Sequence, residues 1–584
     1  TEKDEKRMNG WRRYTWPTLS LVFLLLGLLI GNALSNKANA QRFFIQNGQF
    51  FSQPPSKIEQ VLDVMQRGYV DALDMDSITD EVVVELVQKL DPHSSYIPKK
   101  DLEMVNSELS SSFSGIGVQF NIQNDTVHIV SVIRGGPSES IGVLAGDKLV
   151  EVDDSVFVGK KINNERVMHT LRGPKGTQVT IGVKRFGSDE ILRYTITRGD
   201  IPVLSVDASF IIDCAKDKIG FIRVNKFGES TYSEFIQALA RLRSQGANRY
   251  IIDLRENSGG YMDQAIRMAN EFLERGDMIV YAEGRAYRRM DYQADGSGRF
   301  KDVPLVVLID NFSASASEIF AGAMQDNDRG MVIGRRSFGK GLVQQQIAFP
   351  DSSALRLTVA RYYTPAGRCI QKPYKLGEQE DYAQDLLDRY ESGEFFSADS
   401  VHFADSTVYY TKQGRPVRGG GGIMPDVFVG RDTTLYTPYF NIVSNRAYTY
   451  QFAYQYTNKH RAELSKYKDW QSLEKHLLKA NWVPEFVAFA KEKGVELNEK
   501  QLAISRPLLV RIVNAYIVRN ILNDEGFYPL FERDDDITKK AIEDKKARVF
   551  HKGDILFVGI GTIGKVGIVN DEIFHRTSKL QDLH

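Results

Sequence analysis

Two cysteines in 584 residues, Cys214 and Cys369, leave this chain without a disulfide framework or a CxxC metal cluster; one bridge between them is the most it could form. An excess of one charge is also missing. The 75 basic and 75 acidic residues cancel, which removes any composition-level electrostatic claim on nucleic acid or lipid. No repeat of fixed period and no low-complexity tract is present. Histidine is scarce: nine in all, at 93, 128, 169, 402, 460, 476, 551, 575 and 584, so none falls between 201 and 375. What is present is a 42% apolar, ordinarily globular composition on a chain long enough for three or four units.

The one long hydrophobic run lies near the N-terminus. Lys6, Arg7, Arg12 and Arg13 precede LSLVFLLLGLLIG, residues 19–31, in which Ser20 is the only polar side chain. Basic residues followed by such a run read as an export signal, and AlaAsnAla at 38–40 offers a small-x-small cleavage site. Extended from Trp16 to Leu34, the same run has about the ~20 residues of a spanning helix. Residues 1–40 are therefore expected to be either a cleaved signal or a membrane anchor. Both readings put the remainder outside the cytoplasm.

Hydrophobic spacing divides the rest. Residues 41–106 carry helical patterning in IEQVLDVMQRGYV and ITDEVVVELVQKL, ending at the turn DPHSSY. Residues 107–199 turn to short alternating strands, FSGIGVQFNI, TVHIVSVI, DKLVEVDD, TQVTIGVKRF and ILRYTITR, with a helical INNERVMHTL between the third and fourth. Residues 200–430 alternate strand and helix, as an α/β core with mostly parallel strands does, with a polar insertion at 376–418. Residues 431–548 are helical again, and 549–584 form an atypical tail.

Chemistry is expected where strands of the core end and helices begin, because unpaired backbone N–H groups point there. The run VVLIDNFSASASEIFAG ends a strand at Asp310 and places serines at 313, 315 and 317. Ser317 before Glu318 reads as a helix N-cap, leaving Ser313 or Ser315 for other work. A serine nucleophile needs a base, and the histidine-free core makes lysine the local candidate. Lys340 sits between Gly339 and Gly341 with no carboxylate beside it in sequence. Lowering its pKa from about 10.4 to about 7 or 8 needs on the order of 4 kcal/mol of desolvation. A solvated turn lysine is the alternative. RYIIDLRENSGGYMDQA, 249–265, repeats the strand-loop-helix plan with Gly259 and Gly260 at the bend, where backbone can approach a ligand oxygen closely.

IIDLRENSGG, SASASEIFAGAMQDNDRG, SFGKGLVQ, YYTPAGRCIQ and GGGGIMPD, in this order, resemble the carboxyl-terminal processing peptidases, the S41 serine proteases of the tail-specific group. The resemblance runs from about 91 to 426 and implies an α/β protease core, ClpP/crotonase-like, with an inserted PDZ domain between helical N- and C-terminal regions. It implies Ser315 as nucleophile, Lys340 as base and Gln344 as the residue that orients the lysine. Gln344 and Lys340 share a face whether the segment is helix or strand. The implied oxyanion donors are the N–H of Gly259 or Gly260 and that of Ala316. Gly115, Ile116, Gly117 and Val118 resemble the loop by which a PDZ domain takes a free C-terminus while the peptide adds as a strand.

The function implied is that of a serine endopeptidase, without metal or cofactor, acting on proteins or peptides with exposed C-termini. Its expected place is the bacterial cell envelope, anchored in the inner membrane or free in the periplasm. A nucleic-acid partner is not expected, and a homo-oligomer is left open. The rival reading is a catalytically silent PDZ protein that tethers C-terminal peptides at the membrane. A crotonase-type acyl-CoA enzyme shares the core fold, but no feature is specific for CoA. In the tail, GDILFVGIGTIGKVGIV, 553–569, resembles a segment of type I restriction specificity subunits and also reads as a glycine-rich hairpin.

Overall fold

The computed structural model describes residues 42–46, 49–53, 555–558 and 565–568, and residues 56–543 apart from 108–109, 124, 134, 145, 186–187, 189 and 215–216. The expected signal or anchor, residues 1–40, lies outside the described residues. Among the described residues no helix is long and apolar enough to cross a membrane.

The chain divides into two compact units between Leu86 and Val87. In the first, β1 (Arg42–Gln46) and β2 (Gln49–Gln53) pair as a hairpin that the helical reading of 41–106 did not include. Helix α1 (Lys57–Gly68) follows, started by a reciprocal cap in which the Ser56 hydroxyl accepts from Glu59 N and the Ser56 N–H donates to the Glu59 carboxylate. Helix α2 (Met75–Gln88) leads into the second unit.

That unit begins with β3 (Ser95–Ile97) and α3 (Lys99–Ser107). The strand-rich region comprises β4 (Ser112–Gly115), β5 (Val118–Gln123), β6 (Thr126–Val132), β7 (Lys148–Val152), α4 (Asn164–Leu171), β8 (Gln178–Lys184), β9 (Ile191–Thr197) and β10 (Gly199–Pro202). Its sheet runs β9-β8-β7-β6-β5, so β5 is an edge strand. Helix α4 starts where the sequence pattern placed it, with the Asn163 side chain accepting from Arg166 N at 2.8 Å. Inward positions of alternate strands, among them Val127, Ile129, Ile181 and Val183, close a core with Val167 and Leu171 of α4.

The catalytic-type core follows in chain order: β11 (Val206–Cys214), β12 (Asp217–Val224), α5 (Thr231–Ser244), β13 (Arg249–Asp253), α6 (Met262–Asn270), β14 (Met278–Glu283), β15 (Met290–Gln293), β16 (Leu305–Ile309), α7 (Ala316–Asp326), β17 (Met331–Gly334), β18 (Leu342–Ala348), β19 (Ala354–Tyr363), α8 (Gln379–Glu391) and β20 (Val427–Phe428). One sheet runs β11-β12-β13-β16-β17-β20, parallel except at β11, as the strand-helix alternation predicts. The other runs β15-β14-β19-β18, with β3 on β19.

Uninterrupted apolar strands such as LVVLI are read here on both faces. Ile252, Val307 and Ile309 pack inward with Phe235 and Leu239 of α5, Met268 of α6 and Phe320 of α7. Ile251, Val306 and Leu308 face the other way, where Ile537 and Ala541 cover them. Those two come from α11 (Asp536–Glu543), the last helix among the described residues. Before it run α9 (Tyr448–Leu464) and α10 (Glu499–Arg533), the latter broken at Asn523, where φ is 57° and ψ is −159°. Phe452, Leu477, Trp482, Phe486, Leu509 and Ile517 give this region a core of its own. In the tail, Ile555–Val558 and Lys565–Ile568 pair antiparallel, as the hairpin reading expects.

Candidate active site

The three serines have three different neighbourhoods. Ser313 Oγ donates to Leu254 O at 2.8 Å and accepts from Asp310 N at 2.9 Å. Ser317 Oγ donates to Asn257 O at 2.9 Å. Both fasten the β13 loop to the head of α7. The N-cap assignment of Ser317 is corrected: α7 begins at Ala316, so Ser317 is already inside the helix and Ser315 occupies the cap position. Ser315 is half-exposed, with φ 55° and ψ −114°, a left-handed angle that costs a non-glycine residue on the order of 1 kcal/mol. A sharp strand-to-helix turn of this kind presents a side chain outward.

Lys340 precedes β18, and its Nζ donates to Gln344 Oε1 at 3.2 Å. Gln344 lies in the strand, so the strand alternative for this segment is the observed one. The Gln344 amide N–H in turn donates to His93 O. Among the described residues Lys340 forms no ion pair. Burial pushes its pKa below the ordinary lysine value, reinforced by Arg356, while Glu318 and Asp91 pull the other way.

Glu318 joins the two segments. Its Oε2 accepts from Ser315 N at 2.8 Å and from Lys340 N at 2.9 Å; its Oε1 accepts from Gly339 N at 2.8 Å and from Ser337 Oγ at 2.5 Å. Tyr362, fully buried on β19, directs its hydroxyl to Lys340 O at 2.7 Å and Ser315 O at 3.0 Å. Burial holds that phenol well above its ordinary pKa, so it stays a donor. The GGGG stretch serves the same loop: Ile423 N donates to Ser337 Oγ at 2.6 Å, and a Cβ on Gly422 would stand 2.6 Å from Ser337 O.

At the glycine bend, Gly259 N donates to Asn257 Oδ1 at 2.8 Å, and Phe227 takes part in a parallel bridge with Gly260. The Gly259 N–H is therefore engaged, while among the described residues neither Gly260 N nor Ala316 N has a hydrogen-bond acceptor. The bend touches the serine turn directly: a Cβ on Gly259 would lie 2.7 Å from Ser315 Cβ and 3.0 Å from Ala316 N.

Peptidase family S41 matches residues 218–383, which hold the glycine bend, the serine turn and the lysine loop. A PDZ domain matches 114–196, and a family of unknown function (DUF8443) matches 439–523. The carboxy-terminal-processing protease of Bartonella bacilliformis is 33% identical over 356 residues, 60% of this chain and 80% of that one. This chain belongs to the carboxy-terminal-processing serine proteases of family S41. A probable CtpA-like serine protease of Staphylococcus aureus strain N315 is 33% identical over 317 residues, 54% of this chain and 62% of its own length. Among solved structures, the photosystem II D1 C-terminal processing protease is similar at 24% identity and a TM-score of 0.35, over 65% of this chain and 88% of that one.

The protease site draws in residues that motif reading passed over. His93, from the DPHSSY turn, accepts Gln344 through its carbonyl and meets the Tyr382 hydroxyl through Nε2 at 2.8 Å. Burial, then the nearby Lys340 charge, depress its pKa to about 4, so it is neutral at pH 7. Tyr382 lies on α8, within the stretch read only as a polar insertion, and also accepts from Gln371 Nε2 at 3.3 Å. The Gln371 Oε1 holds Gly341 N at 2.8 Å. A cavity of about 580 Å³ opens beside Lys340, lined also by His93, Glu256, Ser258, Phe312, Ala314 and Phe338. One sequence signal could have found Glu318: Ser315-x-x-Glu318 has capping-box spacing. For His93 and Tyr382 there is none, because 289 positions separate them.

In the PDZ region, Ile116 O accepts from Ser138 N and Oγ at 3.0 and 2.6 Å, and Gly117 O accepts from Ile133 N at 2.9 Å. Gly117 has φ +80°, whereas Gly115 has no such constraint and packs near Leu171 and Arg172 at the end of α4. Val118 opens the edge strand β5.

Proposed function

We propose that this chain is an exported endopeptidase that uses Ser315 and Lys340 as a catalytic dyad and selects substrates by their C-terminal tails. The observation that carries the reading is the setting of Lys340: a half-buried amine whose side-chain partner is a neutral amide. Desolvation without a carboxylate counter-ion favours the free base that proton abstraction requires.

Neutral Lys340 takes the Ser315 hydroxyl proton, and the oxygen attacks the scissile carbonyl. The N–H groups of Gly260 and Ala316 stabilise the oxyanion, Gly259 N–H being bound to Asn257. Collapse breaks the C–N bond, and the lysine ammonium returns its proton to the leaving amine. Water, deprotonated by the same amine, then hydrolyses the acyl-enzyme. Gln344, pinned by His93 O, keeps the amine directed.

Tail selection is supported by the PDZ match and by β5 being a free sheet edge, to which an extended peptide adds by backbone hydrogen bonds. The Gly115–Val118 loop would take the terminal carboxylate. Export rests on the basic and apolar N-terminal sequence. The presence of Ser315, Lys340 and Gln344 in one connected arrangement counts against a binding-only protein. The test incubates an unstructured, tail-bearing protein with wild type, Ser315→Ala and Lys340→Ala. Cleavage confined to wild type is expected; equal cleavage by Ser315→Ala overturns the dyad. Fractionation of cells expressing the full chain tests export.

A further inference from the structure

The loop that carries the glycine bend is held from outside the peptidase core. Arg255, 7% exposed, stands two residues past the end of β13. Its guanidinium takes Asp253 in a fork, Nε to Oδ1 at 2.8 Å and Nη2 to Oδ2 at 2.7 Å. The remaining donors leave the core: Nη2 reaches Glu532 Oε2 at 2.5 Å and Nη1 reaches Asp535 Oδ1 at 2.5 Å. Glu532 ends α10 and is 2% exposed; Asp535 stands between α10 and α11. Thr538 N and Oγ1 fix those two carboxylates at 2.9 and 3.2 Å.

From Arg255 to the reacting atoms the path is short. Glu256, the next residue, has φ 60° and donates its N–H to Asp310 Oδ1 at 3.0 Å. Asn257 then anchors everything nearby. Its Nδ2 donates to Val224 O at 2.8 Å, its Oδ1 holds Gly259 N, and its carbonyl accepts from Ala314 N at 3.0 Å and Ser317 Oγ at 2.9 Å. A strained backbone angle persists only where its surroundings over-determine it, and the Arg255 fork restrains that angle from the strand side, alongside the Glu256 N–H bond to Asp310 and the Arg223 contact with the Glu256 carboxylate at 2.7 Å.

We infer that Glu532 and Asp535 are positioning residues for the protease: by clamping Arg255 they set the glycine bend, and so make the C-terminal helices part of the active site. The inference rests on the oxyanion role assigned above to Gly260 and Ala316. Misplacement of an oxyanion donor by a fraction of an ångström weakens the transition state more than the bound substrate, so the loss falls on kcat. The bidentate geometry to Asp253 survives without the clamp; what is lost is its fixed direction.

The test uses the full chain with Glu532→Gln and Asp535→Asn combined, which removes both charges and keeps shape. Its control is Val443→Ala, which loosens the C-terminal core away from Arg255. The double variant is expected to lose about 10-fold or more in kcat, with KM within about 2-fold. Hydrogen exchange across 254–260 should rise with it, and the control should keep both values. Unchanged kcat in the double variant, or an equal loss in the control at equal melting temperature, overturns the inference. Should the double variant not fold, Asp535→Asn alone, at a half-exposed position, is expected to lose about 3-fold in kcat, and no loss overturns it. The two readings fail separately. Cleavage that survives Ser315→Ala removes the dyad while the exchange response still reports the clamp; Ser315-dependent cleavage at full kcat in the double variant removes the clamp alone.

Discussion

Glu318 Oε2 accepts the backbone N–H of Lys340 at 2.9 Å while accepting that of Ser315 at 2.8 Å, so one buried carboxylate sets the spacing of the two segments that hold the proposed dyad. An amide in its place keeps one acceptor oxygen and turns an NH2 group toward donors. Glu318→Gln is therefore expected to cost about 2–3 kcal/mol of stability through unsatisfied buried donors, together with most of the activity. Chemical denaturation and steady-state kinetics on the same preparation check this; a fully active, equally stable variant would contradict it.

Lys340 connects activity and stability with opposite signs. Its folded pKa lies below the ordinary value of 10.5, so the fold binds fewer protons than the unfolded chain between those two values. Stability is thus lost as pH falls from 10.5 through the folded pKa. Lys340→Met should be inactive yet more stable than wild type near pH 7 by about 1 kcal/mol, an advantage that vanishes as pH approaches 10.5. For the active enzyme, kcat/KM should rise with pH along a limb below 10.5. Lys340→Arg stays protonated and should be inactive.

His93 governs a lower range. Its pKa falls from 6.5 to about 4 in the fold, so the stability it confers is complete above pH 6.5 and is lost as pH drops toward 4. A depression of that size corresponds to roughly 3 kcal/mol. Denaturant titrations at pH 7, 5.5 and 4 should show that slope, and His93→Gln should flatten it. Since the imidazole is neutral above about pH 5, it is not expected to produce the acid limb of the rate profile.

The two PDZ-loop glycines should respond differently. At Gly117, φ is +80° and a Cβ would stand 3.0 Å from Ile201 Cδ1, so Gly117→Ala is expected to destabilise the domain by about 1 kcal/mol. At Gly115 the nearest atom to a Cβ is 3.4 Å away, an ordinary contact. Gly115→Val therefore tests recognition with less damage to the fold. Its KM should rise for tail-bearing substrates and stay near wild type for tail-free ones; equal changes would argue against a recognition role for the loop.

Much of this was legible in the chain. The parallel core strands, α7, α4 and the lysine loop fall where hydrophobic spacing and the serine and glycine motifs put them, because each is a local pattern. The supporting residues are not local. Tyr362 reaches the serine turn across 47 positions, and Glu532 reaches Arg255 across 277. Tyr362 opens the YYTPAGRCIQ motif and Glu532 lies in no motif, but neither neighbourhood names a partner so far along the chain, which topology alone supplies. Ser317 shows how local rules also mislead: a serine before an acidic helical residue looks like a cap, but Ser315 three residues before Glu318 fits the capping box better and takes the place.

Ser315 heads a helix packed on the parallel sheet, whereas Lys340 enters the strand β18 of the other sheet, and Glu318 and Tyr362 bridge their backbones. A half-finished polypeptide emerging from the ribosome owns the hydroxyl before it owns the amine, and neither is useful alone. Under the proposed dyad the hydroxyl and the amine meet only where the two sheets join, so a chain in which either sheet is unfolded is expected to be inactive.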